Sequence, residues 1–410
     1  MTYFVAALLG LSTCLLFGSN GTVPGVFETI TSVLISIGMY LFSPIILFSF
    51  PAGIASLGKD KLGGKFSDRV VTWTLLSSIA LPLVAALLFF IFPSPFPVTS
   101  GAGSEGDIAG RYIEMASNEA LSSLLVHNPT YTMLFSVKFI LPLVLVAWVF
   151  GLALRPKSDI IRPAYAVMNS FSEVMMKISK VMTLFGFVTV YFASSNFFMT
   201  IFNDKSIFVS PAFLFLIVLV PLVMLLIVIP LLFLIITGGK ANPWKCLSSS
   251  LSVLFHSLFT GNIIASGQVM ISIERHNLGV QKRIATTATP IFSIFMHGGS
   301  AAIATITTLS LIYAFTNTMD ISVVMAVALI SIPISFASSP FVSFETVMIG
   351  YAATKLLNIE LYGAESAIFA ILPLVNGIGT MIDASLQTLG AKAVAVKLRT
   401  SLEVPRKDKI

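Results

Sequence analysis

Charge is what this sequence has least of. Only 10% of its 410 residues are Asp, Glu, Lys or Arg, where a soluble domain carries about 25%. That deficit excludes an ordinary solvated surface. There are two cysteines, Cys14 and Cys246, in or beside separate apolar stretches, which excludes a disulfide framework and a metal-ligand spacing. With four histidines there is no His-Glu-x-x-His pair. Neither a phosphate-cradling loop ending in Gly-Lys-Ser/Thr nor a Gly-x-Ser-x-Gly elbow occurs, so no catalytic constellation is expected. What is there is apolar: 56% of the chain, with charge-free windows at 70–104 and 206–237. Both exceed the roughly 20 residues that cross a bilayer. A β-barrel shows short alternating segments, whereas these runs are continuous. The expectation is an all-α, polytopic membrane protein.

The apolar runs place spans at 2–18, 28–58, 70–92, 120–154, 163–198 and 206–238. The first span has no basic leader and reads as a retained helix. With a cytoplasmic N-terminus, most of the 24 basic residues fall in cytoplasmic loops, among them Lys59, Lys61, Arg69, Arg275, Lys282 and Arg283. Arg111, Lys205 and Lys355 fall outside, and Lys138, Lys177 and Lys180 within spans. This asymmetry follows the positive-inside rule and predicts that both termini are cytoplasmic in the cell membrane. The net charge of +6 is then a topology signal with no nucleic-acid partner implied. Residues 93–119, rich in Pro, Gly and Ser, read as an exposed external loop, and 397–410 as a basic cytoplasmic tail near anionic lipid.

The last 165 or so residues carry a repeated interruption. An apolar stretch at 247–273 breaks at Ala265-Ser266-Gly267-Gln268, and one at 321–353 breaks at 335–340, which includes Ser338, Ser339 and Pro340. Each precedes a longer stretch, 285–316 and 366–396, interrupted by Gly298-Gly299 and by Gly377 and Gly379. Non-helical backbone at membrane depth needs protein or a water-lined cavity around it. Paired breaks of this kind point to a midplane binding site in a transporter built from inverted repeats. The two hairpin tips are expected to meet around Gly298-Gly299.

The order of six spans, hairpin, span, hairpin, span resembles the dicarboxylate/amino acid:cation symporters, the glutamate transporter family. Local matches are His127-Asn128-Pro129, Asn169 to Ile178 with Glu173 and Lys177, Asn242-Pro243 and Thr289-Pro290. The resemblance implies eight spans with two re-entrant hairpins and a homotrimer. It also implies that spans in 1–238 supply mainly a scaffold, while 239–396 form a transport core that moves like an elevator. The expected partners are a small-molecule substrate and membrane lipid. No cofactor is implied beyond a coupling cation, H+ or Na+.

The matched positions differ in chemistry. The serine-rich first tip falls on Ile263 to Gly267, and the Asn-Met-Asp-Gly-Thr motif falls on Met296-His297-Gly298-Gly299-Ser300. An ungapped match ending at Gly390 puts Thr380 at an amine-holding aspartate and Asp383 at a carboxylate-holding arginine. It puts Gln387 at an asparagine and Ala391 at a sodium-binding aspartate. The resemblance therefore implies substrate contacts at Ser266, Gly267, Gly299, Ser300, Ser338, Ser339, Pro340, Thr380, Asp383 and Gln387. Cation coupling is assigned to His297, Gly298, Asp383 and Lys392, with no certain metal site.

Asp383 also stands out unaided, because a carboxylate inside an apolar helix costs about 2.5–3.5 kcal/mol and usually faces a cavity. The alternative is a structural ion pair, with Lys392 as partner. His297 either bridges or titrates beside freed carbonyls, or packs between helices. Glu345 reads as an interfacial residue or a proton carrier, and His256 as packing. Glu173, Lys177 and Lys180 read as a stabilising stripe on one helix face. The expected function is a symporter that imports a small polar solute of amino acid or carboxylate class. A channel-like or receptor-like protein that has kept the shell without coupled transport is the alternative, and a membrane-embedded enzyme a distant third.

Overall fold

A computed structural model of the chain describes residues 2–18, 21–97, 118, 140–154, 158–203, 208, 210–336, 343–357, 364–402, 404 and 409. Among the described residues the regular structure is helical apart from one isolated bridge, Val280 to Ser401. In chain order the helices are α1 (Thr2–Phe17), α2 (Val23–Lys59), α3 (Gly63–Ile91), α4 (Leu141–Ala153), α5 (Arg162–Asn203) and α6 (Pro211–Thr237). The second half holds α7 (Pro243–Ser249), α8 (Leu251–Thr260), α9 (Ile263–His276), α10 (Lys282–Phe295) and α11 (Gly298–Thr316). It ends with α12 (Ile321–Ile334), α13 (Phe344–Leu357) and α14 (Ala364–Lys397). Among the described residues five segments are long and apolar enough to cross a bilayer, the α10–α11 pair counting as one. The all-α, polytopic reading therefore holds.

Proline shapes the spans locally. Pro230 has no N–H to give Leu226, four residues back, so that carbonyl loses its helical partner. The Trp244 indole N–H donates to Leu226 O at 3.2 Å and replaces it. The same stretch of α6 widens into a π-helical turn, Met224–Val228.

The first hairpin breaks earlier than the sequence suggests. The expected break at Ala265–Gln268 is helical, forming the first turns of α9. The turn lies at Gly261-Asn262. Gly261 closes α8 in the left-handed region, φ +56°, and a Cβ there would sit 2.4 Å from Asn376 Nδ2. Asn262 caps α9 by accepting from Ala265 N at 2.8 Å. A small, polar sequence is compatible with a buried helix, and it is cap chemistry that locates the turn.

The second hairpin runs down α12 and back along α13. Its tip, with Ser338, Ser339 and Pro340, lies outside the described residues, as do most of 93–119, the match at His127 to Pro129, and Lys138. The expected interruption of the last span at Gly377 and Gly379 does not occur, since α14 is one continuous helix. These glycines allow close approach instead: added Cβ atoms would meet Leu258 O at 2.5 Å and Ser300 at 2.9 Å. The start of the tail packs back on the hairpin base, with Leu402 N donating to Gly279 O at 2.8 Å.

α14 is the central post of the second half. It packs against α8, α9, α10 and α11, while α11 packs against α3 and α13.

Asn262→Ala should lower stability by about 1 kcal/mol, the worth of a capping side chain. Gly261→Ala should cost more, since it adds about 1–2 kcal/mol of left-handed strain to the displacement of Asn376. Gly64→Ala, where a Cβ meets nothing within 4 Å, is the neutral control. Detergent-solubilised unfolding midpoints measure all three. Equal midpoints for Gly261→Ala and Gly64→Ala would place the turn elsewhere.

Candidate functional site

The site is built around the gap between α10 and α11. Two residues, Met296 and His297, leave helical geometry there, at φ/ψ −131°/85° and −117°/32°. Backbone groups freed in a water-poor interior must be satisfied from elsewhere. Each is supplied by a different neighbour. Gln387 Nε2 on α14 donates to Met296 O at 3.3 Å. His297 N donates to Ser335 O, at the end of α12, at 3.0 Å. Asp383, one helical turn before Gln387, takes the exposed N–H groups that open α11.

The Asp383 contacts are the shortest of the set. Oδ1 accepts from Gly299 N at 2.6 Å, and Oδ2 accepts from Ser300 N at 3.1 Å and Ser300 Oγ at 2.5 Å. An anion at a helix N-terminus meets both free donors and the positive end of the helix dipole. Gly299 is what allows the approach: a Cβ there would lie 2.6 Å from Ile382 Cβ and 2.8 Å from Asp383 N. Asp383 is fully buried, and these donors meet it where the alternative reading had Lys392. Lys392 instead reaches Leu278 O and Ser401 Oγ at the hairpin base.

His297, which opens α11, adds a second polar system. Its Nδ1 lies 3.2 Å from Glu345 Oε1 on α13. Both side chains are about 10% exposed, so Glu345 is a buried partner of His297. Asp383 lies within electrostatic reach of both. The sequence signal for this pair was a carboxylate on the return arm of a hairpin, without the register that brings α13 onto α11.

Thr380 and Asn376 face the other way, toward the first hairpin. Thr380 Oγ1 lies 2.9 Å from Ser257 O, and Asn376 Nδ2 donates to Gly261 O at 2.6 Å. Ser266 and Gly267 are not gathered at the gap by any contact. Ser266 Oγ bonds His256 Nδ1 at 2.9 Å, and Gly267 lies against the Phe42 ring on α2. The structure therefore joins His297, Gly298, Gly299, Ser300, Asp383 and Gln387, with Thr380 one turn away.

Glu274 carries no mark in the sequence beyond its position at the end of an apolar run. It is fully buried, with Thr289 Oγ1 at 2.8 and 3.0 Å from its two oxygens. Glu173 pairs across elements, 2.8 Å from Lys282 and 3.7 Å from Arg275. The expected stripe with Lys177 and Lys180 on its own helix is thus replaced by ties to α9 and α10.

No curated protein matches this chain. A model of the sodium:dicarboxylate symporter family matches residues 2–397, nearly the whole length. The helical, apolar architecture accords with that match. The chain belongs to the sodium:dicarboxylate symporter family, whose members are transporters and not enzymes.

Proposed function

We propose that the protein imports a neutral or amine-bearing amino acid, or a similar small polar solute, by symport with a cation. The observation that carries this reading is Asp383 seated on the N–H groups of Gly299 and Ser300. Half-helix N-termini in transporters commonly receive a substrate's carboxylate. Here the chain's own carboxylate holds that place, at the position matched to a side-chain-carboxylate-holding arginine, so a substrate's side-chain carboxylate beside it at low dielectric is repelled. A glutamate-like dicarboxylate is therefore disfavoured as substrate.

The coupling ion is assigned to the His297–Glu345 pair, with protons ahead of sodium. Two matched sodium carboxylates are Gly298 and Ala391 in this chain, while imidazole and carboxylate at 3.2 Å can share one proton. Occupancy of that proton ties α13 to the start of α11, and so links ion binding to closure of the second hairpin. Transport is assigned to elevator-like movement of the second half against a homotrimeric scaffold of spans from the first half. Both termini are assigned to the cytoplasm, which the distribution of basic residues supports.

Two measurements test these assignments. Proteoliposome uptake should be competed by neutral or basic amino acids and not by glutamate or succinate. It should persist with choline in place of sodium and rise with an inward proton gradient. Glu345→Gln should abolish the response to that gradient while leaving substrate exchange. Uptake that collapses without sodium and ignores Glu345→Gln would assign coupling to a sodium site instead. No concentrative uptake under either gradient would favour the channel-like or receptor-like alternative.

Asp383→Asn should cost about 1–3 kcal/mol of stability, because an amide cannot accept at both oxygens and turns N–H toward N–H. Asp383→Ala should be partly rescued by millimolar formate, an anion small enough to occupy the vacated N-terminus. Unfolding midpoints with and without formate read this directly. A midpoint unchanged in both variants would remove Asp383 from the closure of the gap.

A further inference from the structure

A partly open cavity lies between α2, α5 and the first hairpin. It has a volume of about 290 Å³ and is lined mainly by apolar groups, including Leu34, Ile35, Met182, Val188 and Val269. Its polar lining is Gln268, His256 and Thr189. The Gln268 amide is fixed in orientation, since its Nε2 donates to Gly38 O at 2.6 Å. That leaves Oε1, which is buried and has no hydrogen-bond partner, on a side chain only 2% exposed. His256 has the same polarity. The single Ser266 hydroxyl proton goes to Asn262 O at 2.9 Å, so Ser266 accepts from Nδ1–H at 2.9 Å. The other nitrogen of the neutral ring is then an acceptor. Gln268 Oε1 is thus a buried acceptor without a hydrogen-bond partner, and no bond reaches it from Thr189, the hydroxyl-bearing side chain of the lining.

We propose that this cavity binds a small amphiphile with an apolar body and one O–H or N–H donor, the donor meeting Gln268 Oε1. A cavity of about 150 Å³ holds benzene, so this one takes a ligand of about twelve non-hydrogen atoms. Ile37 and Phe185, which also line it, are 44% and 60% exposed, and they give a route from the membrane. A free alcohol or phenol dissolved in the bilayer and the hydroxyl of a lipid share this donor chemistry. Resting on the elevator reading above, the occupant would wedge the first hairpin against α2 and α5 and slow its movement. Gln268 already ties these elements, through Gly38 O and through Ser179 Oγ, which donates to Gln268 O at 2.7 Å.

Equilibrium dialysis of the purified, delipidated protein with labelled 4-butylphenol tests the site. The phenol should bind saturably, and 4-butylanisole, which has the same body without a donor, at least tenfold more weakly. Val188→Trp should fill the space and abolish binding, and Gln268→Leu should bring the phenol down to the anisole level. Absence of saturable binding, equal binding of the two probes, or binding that survives Val188→Trp would each overturn the proposal. Native mass spectrometry before delipidation separates the sources: a retained lipid appears as an adduct that Val188→Trp loses, and a bare protein mass assigns the site to free amphiphiles. In uptake assays, 4-butylphenol should lower the maximal rate of the wild type and leave Val188→Trp unchanged. Binding without inhibition would keep the site and overturn the wedge, and with it the sliding of the first hairpin along α2 and α5.

Discussion

The arrangement depends on one hydrogen-bonded closure, the Asp383 carboxylate over the amides of Gly299 and Ser300. A helix broken inside a membrane exposes donors and acceptors that each cost several kcal/mol if left bare. Charge-assisted hydrogen bonds are worth about 1.5–3 kcal/mol net, so the three at Asp383 exceed its insertion cost of about 2.5–3.5 kcal/mol. The carboxylate and the gap therefore stabilise one another, although each alone would be unfavourable. The closure also fixes register. Once Asp383 is set on α11, Gln387 falls one turn further along, where it meets Met296 O. The second hairpin is then drawn in through Ser335 O.

Such short bonds need backbones that nearly touch. Glycine at 299 and 379 removes the side chains that would hold α11 and α14 apart. Hydroxyl side chains fill a related role among the buried spans. Thr305 Oγ1 lies 2.7 Å from Ala301 O and 2.8 Å from Ser331 Oγ, so it answers its own helix while meeting α12. Small residues that permit contact and hydroxyls that bond across it are the usual means of association where hydrophobicity gives no advantage between helices.

How much of this was legible in the sequence follows from which physical signals are local. Hydropathy runs are local, so the helical, membrane-spanning character of the chain could be read directly. The gap at Gly298 was legible because glycine, histidine and serine interrupt an otherwise apolar run. The turn at Gly261-Asn262 was missed in favour of Ala265–Gln268, since small residues mark tight packing and turns alike, and only φ +56° and a side-chain cap separate them. The same ambiguity made Gly377 and Gly379 look like an interruption. Partners were the least legible. Asp383 was singled out by its burial, but its donors lie more than 80 residues away. Glu345 needed the register of α13 on α11, and Glu274 needed the packing of Thr289.

The distribution of strong and weak polar contacts bears on movement. Within the second half the ties are buried: Asp383 on α11, Gln387 on Met296, His297 on Glu345 and Asn376 on Gly261. Across to α2 and α5, the ionic ties are more exposed: Glu173, half-exposed, meets Lys282 and Arg275, and Asp60 meets Arg283. Ion pairs at exposed positions are worth about 0–1 kcal/mol and are screened by salt, so they resist separation weakly. Buried hydrogen bonds, if broken without replacement, cost about 1–3 kcal/mol each. Under the proposed elevator-like movement, a body held by the second kind and attached by the first would move as a unit before it deforms. Buried or part-buried bonds also cross that boundary: two short ones join Gln268 to Gly38 and Ser179, and longer ones join Thr286 to Ser49 O and Asn262 to Met39 Sδ. Any such displacement must exchange those bonds, and that places the main polar resistance to sliding at the first hairpin.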